Sequence, residues 1–247
     1  VTSSTRRPTA IVTGASSGIG EATARRLTAQ GWHVVLGARR AELIEKIAAE
    51  IDGTAVPLDV TDAASVGAFV DRIDQARVLV NNAGGAKGLE PVVDADEEHW
   101  RWMWETNVLG TLRVTKALLP VLIASGDGHV VTVTSTAAYE AYQNGSGYTS
   151  AKSAQSVLHR TLRTELLGQP IRLTEIVPGM VETDFSLVRF DGDAQKAAEV
   201  YSGVEALTPE DVAEVIGFAV SRPPHVNLDQ IVLRPRDQAS QFRIHRR

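Results

Sequence analysis

The sequence predicts an α/β fold: a doubly wound, seven-stranded parallel sheet with helices on both faces. Short β-branched runs alternate with longer amphipathic stretches along the 247 residues, and no linker interrupts the series. The runs at 33 and 129 are apolar on both sides of their alternation, as strands are when helices cover both faces of a sheet.

In chain order, AIVTG (10–14) leads into a helix over 18–30, and HVVLGA (33–38) into one over 41–50. TAVPLDV (54–60) leads into a helix over 62–73 that opens with Asp62 at the N-cap. VLVNNA (78–83) precedes a long helix over 96–124, and HVVTVTS (129–135) one over 148–167. After IRLTEIVP (171–178) the rhythm breaks: 180–205 is long for a simple connection, and such insertions after strand ends are commonly lids or binding loops. Thr208 as N-cap and Pro209 at the first helical position open the last helix, 208–220. NLDQIVLRP (227–235) supplies the seventh strand and 236–247 a tail, so the whole of 1–247 reads as one domain.

Composition removes several functions. Hydrophobic residues make up 43% and charged residues 22%, which argues against disorder, and a net charge of -5 lacks the basic footprint of a nucleic-acid binder. There is no cysteine, so thiol nucleophiles, disulfides and Cys-rich metal sites are out. The six histidines lie far apart with no short ligand spacing, giving no metal site. VTSSTRRPTA at the start has no apolar region of secretory length behind it, and no run approaches ~18 apolar residues, so a cytoplasmic protein without a membrane span is expected.

The first strand runs into TGASSGIGEATARRL, with Gly14, Gly18 and Gly20 where a helix begins. A diphosphate needs close backbone approach and the free amides of a helix N-terminus, and side chains there would obstruct both. The spacing is GxxxGxG rather than GxGxxG, and a structural turn without ligand is the competing reading. At the end of the second strand an acid would bind the ribose 2′-hydroxyl of NAD. Here Gly37 and Ala38 are followed by Arg39 and Arg40, which favours the 2′-phosphate of NADP; a solvated arginine pair is the alternative. Asp59 would face the adenine amino group, and NNAG (81–84) would lie beside the cofactor.

Later in the chain, YTSAK places Tyr148 and Lys152 one helical turn apart, on one face. With TGxxxGxG, Asp59, NNAG, Asn107 in ETNVLG, Ser135 in VTVTSTAA, and the PG at 178 and 179, the chain resembles the short-chain dehydrogenase/reductase family over residues 9 to 235, with Tyr148 thirteen positions after Ser135. The resemblance implies a Rossmann fold, a homotetramer, and an enzyme that exchanges hydride between a small-molecule alcohol or carbonyl and NADP(H). Tyr148 would be its acid or base, with Lys152 holding the nicotinamide ribose. Ser135 would bind the substrate oxygen, and Asn107 would anchor a water that connects Lys152 to solvent. Ser16, Ser17, Ile19, Val60, Asn82, Ala83, Gly84, Pro178, Gly179 and Val181 would join the cofactor site, Thr183 reaching the carboxamide. Singly, these residues also read as a helix-face pair, a strand-end serine and a capping asparagine.

A free phenol has a pKa near ~10, and a cation about 4 Å away at an effective dielectric of ~20 contributes on the order of 4 kcal/mol, so Lys152 is expected to bring Tyr148 down by about three units. AYQNGSGYTSAK, IVPGMVETDFSLVRF and the segment from Ala206 to Pro235 further resemble NADP-dependent 3-hydroxy acid dehydrogenases, which act on serine and L-allo-threonine. Ala137, Ala138 and Tyr139 replace that group's usual glycine-containing segment, leaving the shape of the substrate wall open. Arg189 is the candidate for a substrate carboxylate, against a surface or intersubunit role, with Tyr142 and Gln143 lining the pocket. Competing functions are an NADPH-dependent carbonyl reductase and a non-catalytic NADP(H)-binding sensor or scaffold; an activated phenol argues against the latter. Among Trp100, Trp102 and Trp104, some are expected in the core and one at a subunit contact. The tail 236–247 is expected over a neighbouring subunit or loose in solvent.

Overall fold

The computed structural model describes residues 7–247; the N-terminal reading of residues 1–6 lies outside them. Seven strands form one parallel sheet in the order β3-β2-β1-β4-β5-β6-β7. They are β1 (Thr9–Thr13), β2 (His33–Ala38), β3 (Thr54–Pro57), β4 (Val78–Asn81), β5 (Gly128–Val133), β6 (Ile171–Pro178) and β7 (Gln230–Leu233). The helices are α1 (Gly18–Ala29), α2 (Ala41–Ile51), α3 (Ala63–Val70), α4 (Glu97–Trp104), α5 (Gly110–Ala124), α6 (Ser146–Glu165), α7 (Phe185–Arg189), α8 (Ala194–Tyr201) and α9 (Pro209–Val220).

The period of two along each strand divides the core into two layers. Val12, Val34, Leu36, Val78 and Val80 face one side, where they pack with Leu27 of α1, Ile44 and Ile47 of α2, and Val212 and Ile216 of α9. Ile11, Val35 and Leu79 face the other, against Phe69 of α3 and Val114, Leu118 and Leu122 of α5. Strand order reverses between β1 and β4, and in open α/β sheets the crevice at such a point, beyond the strand C-termini, is where ligands bind.

Several boundaries differ from the sequence reading. β3 and β7 stop short because Leu58 to Val60 and Pro235 turn into the crevice and the tail. The helix expected over 96–124 is interrupted by a π turn, Glu105–Leu109. Asn107 Nδ2 donates to Met103 O at 2.7 Å and Thr111 Oγ1 donates to Asn107 O at 2.8 Å, side-chain bonds that serve carbonyls one turn back and accommodate the wider turn. By length and mean hydropathy Glu97–Ala124 could cross a membrane, but the α5 face bearing Val114, Leu118 and Leu122 is buried against the sheet. The 180–205 insertion contains α7 and α8. Asp62 accepts from Ala64 N, and Thr208 forms a reciprocal capping box with Asp211, as their positions suggest.

Two histidines are held neutral in the core. Burial pushes His129 down to about 3, Arg172 and His159 adding to the effect, and pushes His159 down to about 4 against the pull of Glu175 and Asp229. Their folded values lie below the unfolded one, so between these values and ~6.5 the unfolded chain binds more protons. Their contribution is present above pH ~6.5 and lost as pH falls toward 4 and then 3. Thermal melts are expected to show Tm falling over that range, with a shallower fall in His159→Gln; identical slopes would contradict this account.

Candidate active site

The strand C-termini open into a cleft of about 650 Å³. Of the sequence-predicted site residues, all but Gly20 and Asn107 line it. Gly20 sits just behind, where a Cβ would run into Gly14 O; Gly14 itself has φ +64°. Both positions therefore require glycine, and the backbone is left open at the start of α1. Ser17, the N-cap of α1, makes no side-chain cap bond, because its Oγ accepts from Arg40 Nη2 at 2.6 Å. Arg40 also donates to Ser16 Oγ from Nε (3.0 Å) and Nη2 (2.9 Å). Uncapped amides, a glycine cradle and an arginine folded over it fit a dinucleotide diphosphate with an additional phosphate nearby.

At the adenosine end, Asp59 Oδ1 accepts from Thr61 N (2.9 Å) and Thr61 Oγ1 (2.7 Å). Burial raises its pKa, but these bonds and the neighbouring Arg39 outweigh it and hold the carboxylate below its usual range. In NNAG, Asn82 faces the cleft but spends its amide on Thr13 O (3.0 Å) and Gly14 O (3.2 Å), bracing the glycine turn rather than reaching outward.

Tyr148 and Lys152, on the first two turns of α6, are 8% and 5% exposed, and both face the cleft. Phe185 of α7 meets the Tyr148 ring edge-on at 5.3 Å. Ser135, just beyond β5, accepts from Ala137 N at 3.1 Å and faces the cleft beside Tyr148, where its hydroxyl favours the ionised phenol. The expectation that Lys152 depresses the phenol is corrected here. Burial, with Tyr142 adding, raises Tyr148 well above the ordinary tyrosine value, and Ser135 and Arg189 offset this only in part. The Lys152 ammonium lies 5.9 Å from the ring centroid and donates instead to Val133 O (3.2 Å) and Gln155 Oε1 (2.9 Å). Burial pushes Lys152 down to about 7, with Glu175 opposing.

Asn107 is completely buried, and both its amide protons are taken, by Gly85 O and Met103 O. Its side chain thus shapes the π turn, and its Oδ1 lies where a Cβ on Gly84 would approach within 2.6 Å. The open question of the substrate wall also has an answer: Ala137 packs beside Tyr148, whereas the Tyr139 hydroxyl lies 2.6 Å from Ser156 Oγ and donates to Glu175 Oε2 at 2.7 Å, away from the cleft.

Arg189 crosses the cleft from α7. Its Nε donates to Gly88 O and its Nη2 to Tyr142 Oη, both at 3.0 Å, and its guanidinium lies 5.6 Å and 5.8 Å from the Tyr142 and Tyr148 ring centroids. Gly88 N returns a bond to Arg189 O at 3.1 Å, so α7 is tied to the loop after β4.

Three groups of cleft residues were not anticipated. Trp102 covers Gly85 and packs, partly buried, against the core cluster that contains Met103 and Tyr148, with Lys87 5.7 Å from its ring centroid, while Trp100 and Trp104 are 37% and 44% exposed and the fully buried residue of α4 is Met103. The i, i+4 spacing of Trp102 to Thr106, which also lines the cleft, is the signal that marks it. The tail packs on its own chain rather than hanging loose: Gln238, Gln241 and Ile244 line the cleft. Gln238 Oε1 accepts from Met180 N at 2.8 Å, Gln241 Nε2 donates to Thr136 Oγ1, and Arg246 and Arg247 bond the backbone at the end of α8. The third lies behind the cleft wall: fully buried Gln155, which holds the Lys152 amine.

Residues 8–193 match the family model for short chain dehydrogenases. The chain belongs to the short-chain dehydrogenase family. An uncharacterized oxidoreductase of Mycobacterium tuberculosis (strain ATCC 25618 / H37Rv) is 68% identical over 97% of this chain and 95% of its own length. An NADP-dependent 3-hydroxy acid dehydrogenase of Schizosaccharomyces pombe is 39% identical over 97% and 96%. Among solved structures, a serine dehydrogenase in its closed form with NADP+ superposes with a TM-score of 0.92 at 36% identity, covering 97% of this chain and all of that one. This short-chain dehydrogenase is accordingly an oxidoreductase acting on alcohol groups.

Proposed function

We propose that this dehydrogenase exchanges hydride between NADP(H) and a small 3-hydroxy acid, interconverting the secondary alcohol and its ketone. The observation that carries the substrate class is Arg189: a guanidinium at the reacting end of the cleft, with no acidic partner among the described residues and two of its five N–H groups spent on neutral oxygens. A carboxylate entering between Tyr142 and Tyr148 would complete it by a bidentate pair. The similarity to 3-hydroxy acid and serine dehydrogenases supports the same class.

NADP(H), held by the glycine turn, Arg39, Arg40, Asp59 and the segment from Pro178 to Thr183, supplies the hydride donor or acceptor. Ser135 holds the substrate oxygen and Tyr148 moves its proton. A phenol raised by burial is a proton donor at neutral pH, which suits carbonyl reduction directly. Alcohol oxidation needs the phenol to give up its proton while Lys152 keeps its charge nearby, so its rate should rise with pH only until Lys152, pushed down to about 7, loses its proton. The 180–205 segment acts as the lid, and the enzyme works in the cytoplasm as a homotetramer.

The test is reduction of NADP+ and NAD+ across hydroxy acids, amino alcohols and simple alcohols, with Tyr148→Phe as the blank. Arg189→Met is expected to raise KM for hydroxy acids about 10- to 100-fold with little change for neutral alcohols, the loss of one charge-assisted pair. Equal effects on both classes would retire the carboxylate role.

A further inference from the structure

Gln155 is fully buried one turn beyond the site and has no part in the reaction as described. It stands in a chain of bonds whose direction is fixed from its far end. Asn107 O can only accept, so Thr111 Oγ1 must donate to it at 2.8 Å. Thr111 Oγ1 then accepts from Gln155 Nε2 at 2.8 Å, which turns Gln155 Oε1 toward Lys152, where it accepts from Nζ at 2.9 Å. The amide cannot flip without setting its NH2 against the lysine and its oxygen at a hydroxyl whose proton is already committed. An amide is also a poor proton carrier, so the chain orients and does not conduct.

We infer that Gln155 is a positioning residue that keeps Lys152 charged and aimed at the cleft. This rests on the reading of Lys152 as the lysine of the dehydrogenase site. Two fixed acceptors, Val133 O and Gln155 Oε1, take two of the three N–H groups of an ammonium and leave the third for the cleft. Either form can serve both acceptors, but bonds donated by an ammonium are charge-assisted and stronger than those of a neutral amine, so the pair favours the charged form. Three other titratable groups surround this point. Tyr148 lies on the same helix, and Arg189 reaches over the Tyr148 ring from α7. Glu175 of β6 is kept ionised against burial by bonds from Tyr139, Ser156, Gln230 and Thr134. Against a burial that favours loss of the proton, Gln155 is the neutral group that can be altered without adding or removing a charge.

The experiment follows the Lys152 13Cε resonance against pH in lysine-labelled enzyme, assigned by its absence in Lys152→Arg. Gln155→Leu should lower the Lys152 titration midpoint by about one unit or more, since it removes an acceptor from a charged donor. Gln155→Glu keeps an acceptor, adds charge, and should raise the midpoint. Gln155→Met substitutes for the leucine variant if that one does not fold. Opposite shifts support the inference, because a purely structural role would not move the midpoint in opposite directions. An unchanged midpoint in both the apolar and the glutamate variant overturns it. The two readings fail separately: active wild-type enzyme with an unmoved midpoint removes the Gln155 role alone, whereas opposite shifts without hydride transfer to any substrate remove the proposed reaction and leave the Gln155 contact.

Discussion

Tyr148→Phe should lower turnover about 10²- to 10⁴-fold in both directions while leaving NADPH affinity within a factor of a few. The ring stays, and with it the edge-on contact to Phe185 at 5.3 Å and the packing with Ala137 and Ala151, so fold and cleft shape should persist. What disappears is the hydroxyl proposed to pass a proton to a substrate oxygen held by Ser135. Removing it also relieves the cost of burying a polar group with few partners, so Tm should hold or rise slightly. Turnover by stopped-flow and NADPH affinity by fluorescence titration separate the two effects. Retention of more than about a tenth of wild-type turnover would assign the proton to another group.

The Tyr148 and Lys152 pair was legible in the sequence because both residues lie on one helix, where spacing alone decides which face they share. Gly14 and Gly20 were legible for a similar reason: a strand running directly into a helix leaves little choice about what the turn must accommodate. The electrostatics were not. A pairwise cation and phenol at 4 Å is a local argument, whereas the balance at Tyr148 depends on its burial beneath Phe185, with Tyr142 adding, and on Val133 O and Gln155 drawing the amine aside. Trp102, Gln238 and Gln241 escaped because they reach the cleft from elements far apart in sequence. The break in the long helix escaped too: its apolar pattern continues through Asn107, and only the side-chain bonds to Met103 O and Gly85 O mark the turn. Arg189 was anticipated from its position in the insertion after a strand, and α7 brings it over the Tyr148 ring.

Replacing Arg39 and Arg40 together by alanine should weaken NADP+ binding by about 10²- to 10³-fold and NAD+ binding little, bringing the two affinities together. Each charge-assisted bond to a phosphate is worth about 1.5–3 kcal/mol, and 1.4 kcal/mol is tenfold in affinity. The two arginines should not contribute alike. Arg40 is already ordered on Ser16 and Ser17, so little further side-chain freedom is lost when a phosphate arrives. Arg39 is exposed and makes no such bond, though it helps hold Asp59 ionised. Arg40→Ala alone should therefore cost more than Arg39→Ala. Arg39→Asp adds repulsion toward a 2′-phosphate and an acceptor for a 2′-hydroxyl, and should favour NAD+. Because the term is ionic and half in water, the preference for NADP+ should shrink between about 0.05 and 0.5 M salt in the wild type and stay flat in the double variant. Calorimetric titration of both cofactors at the two salt concentrations measures all of this; an unchanged ratio of affinities in the double variant would move the phosphate site away from the end of β2.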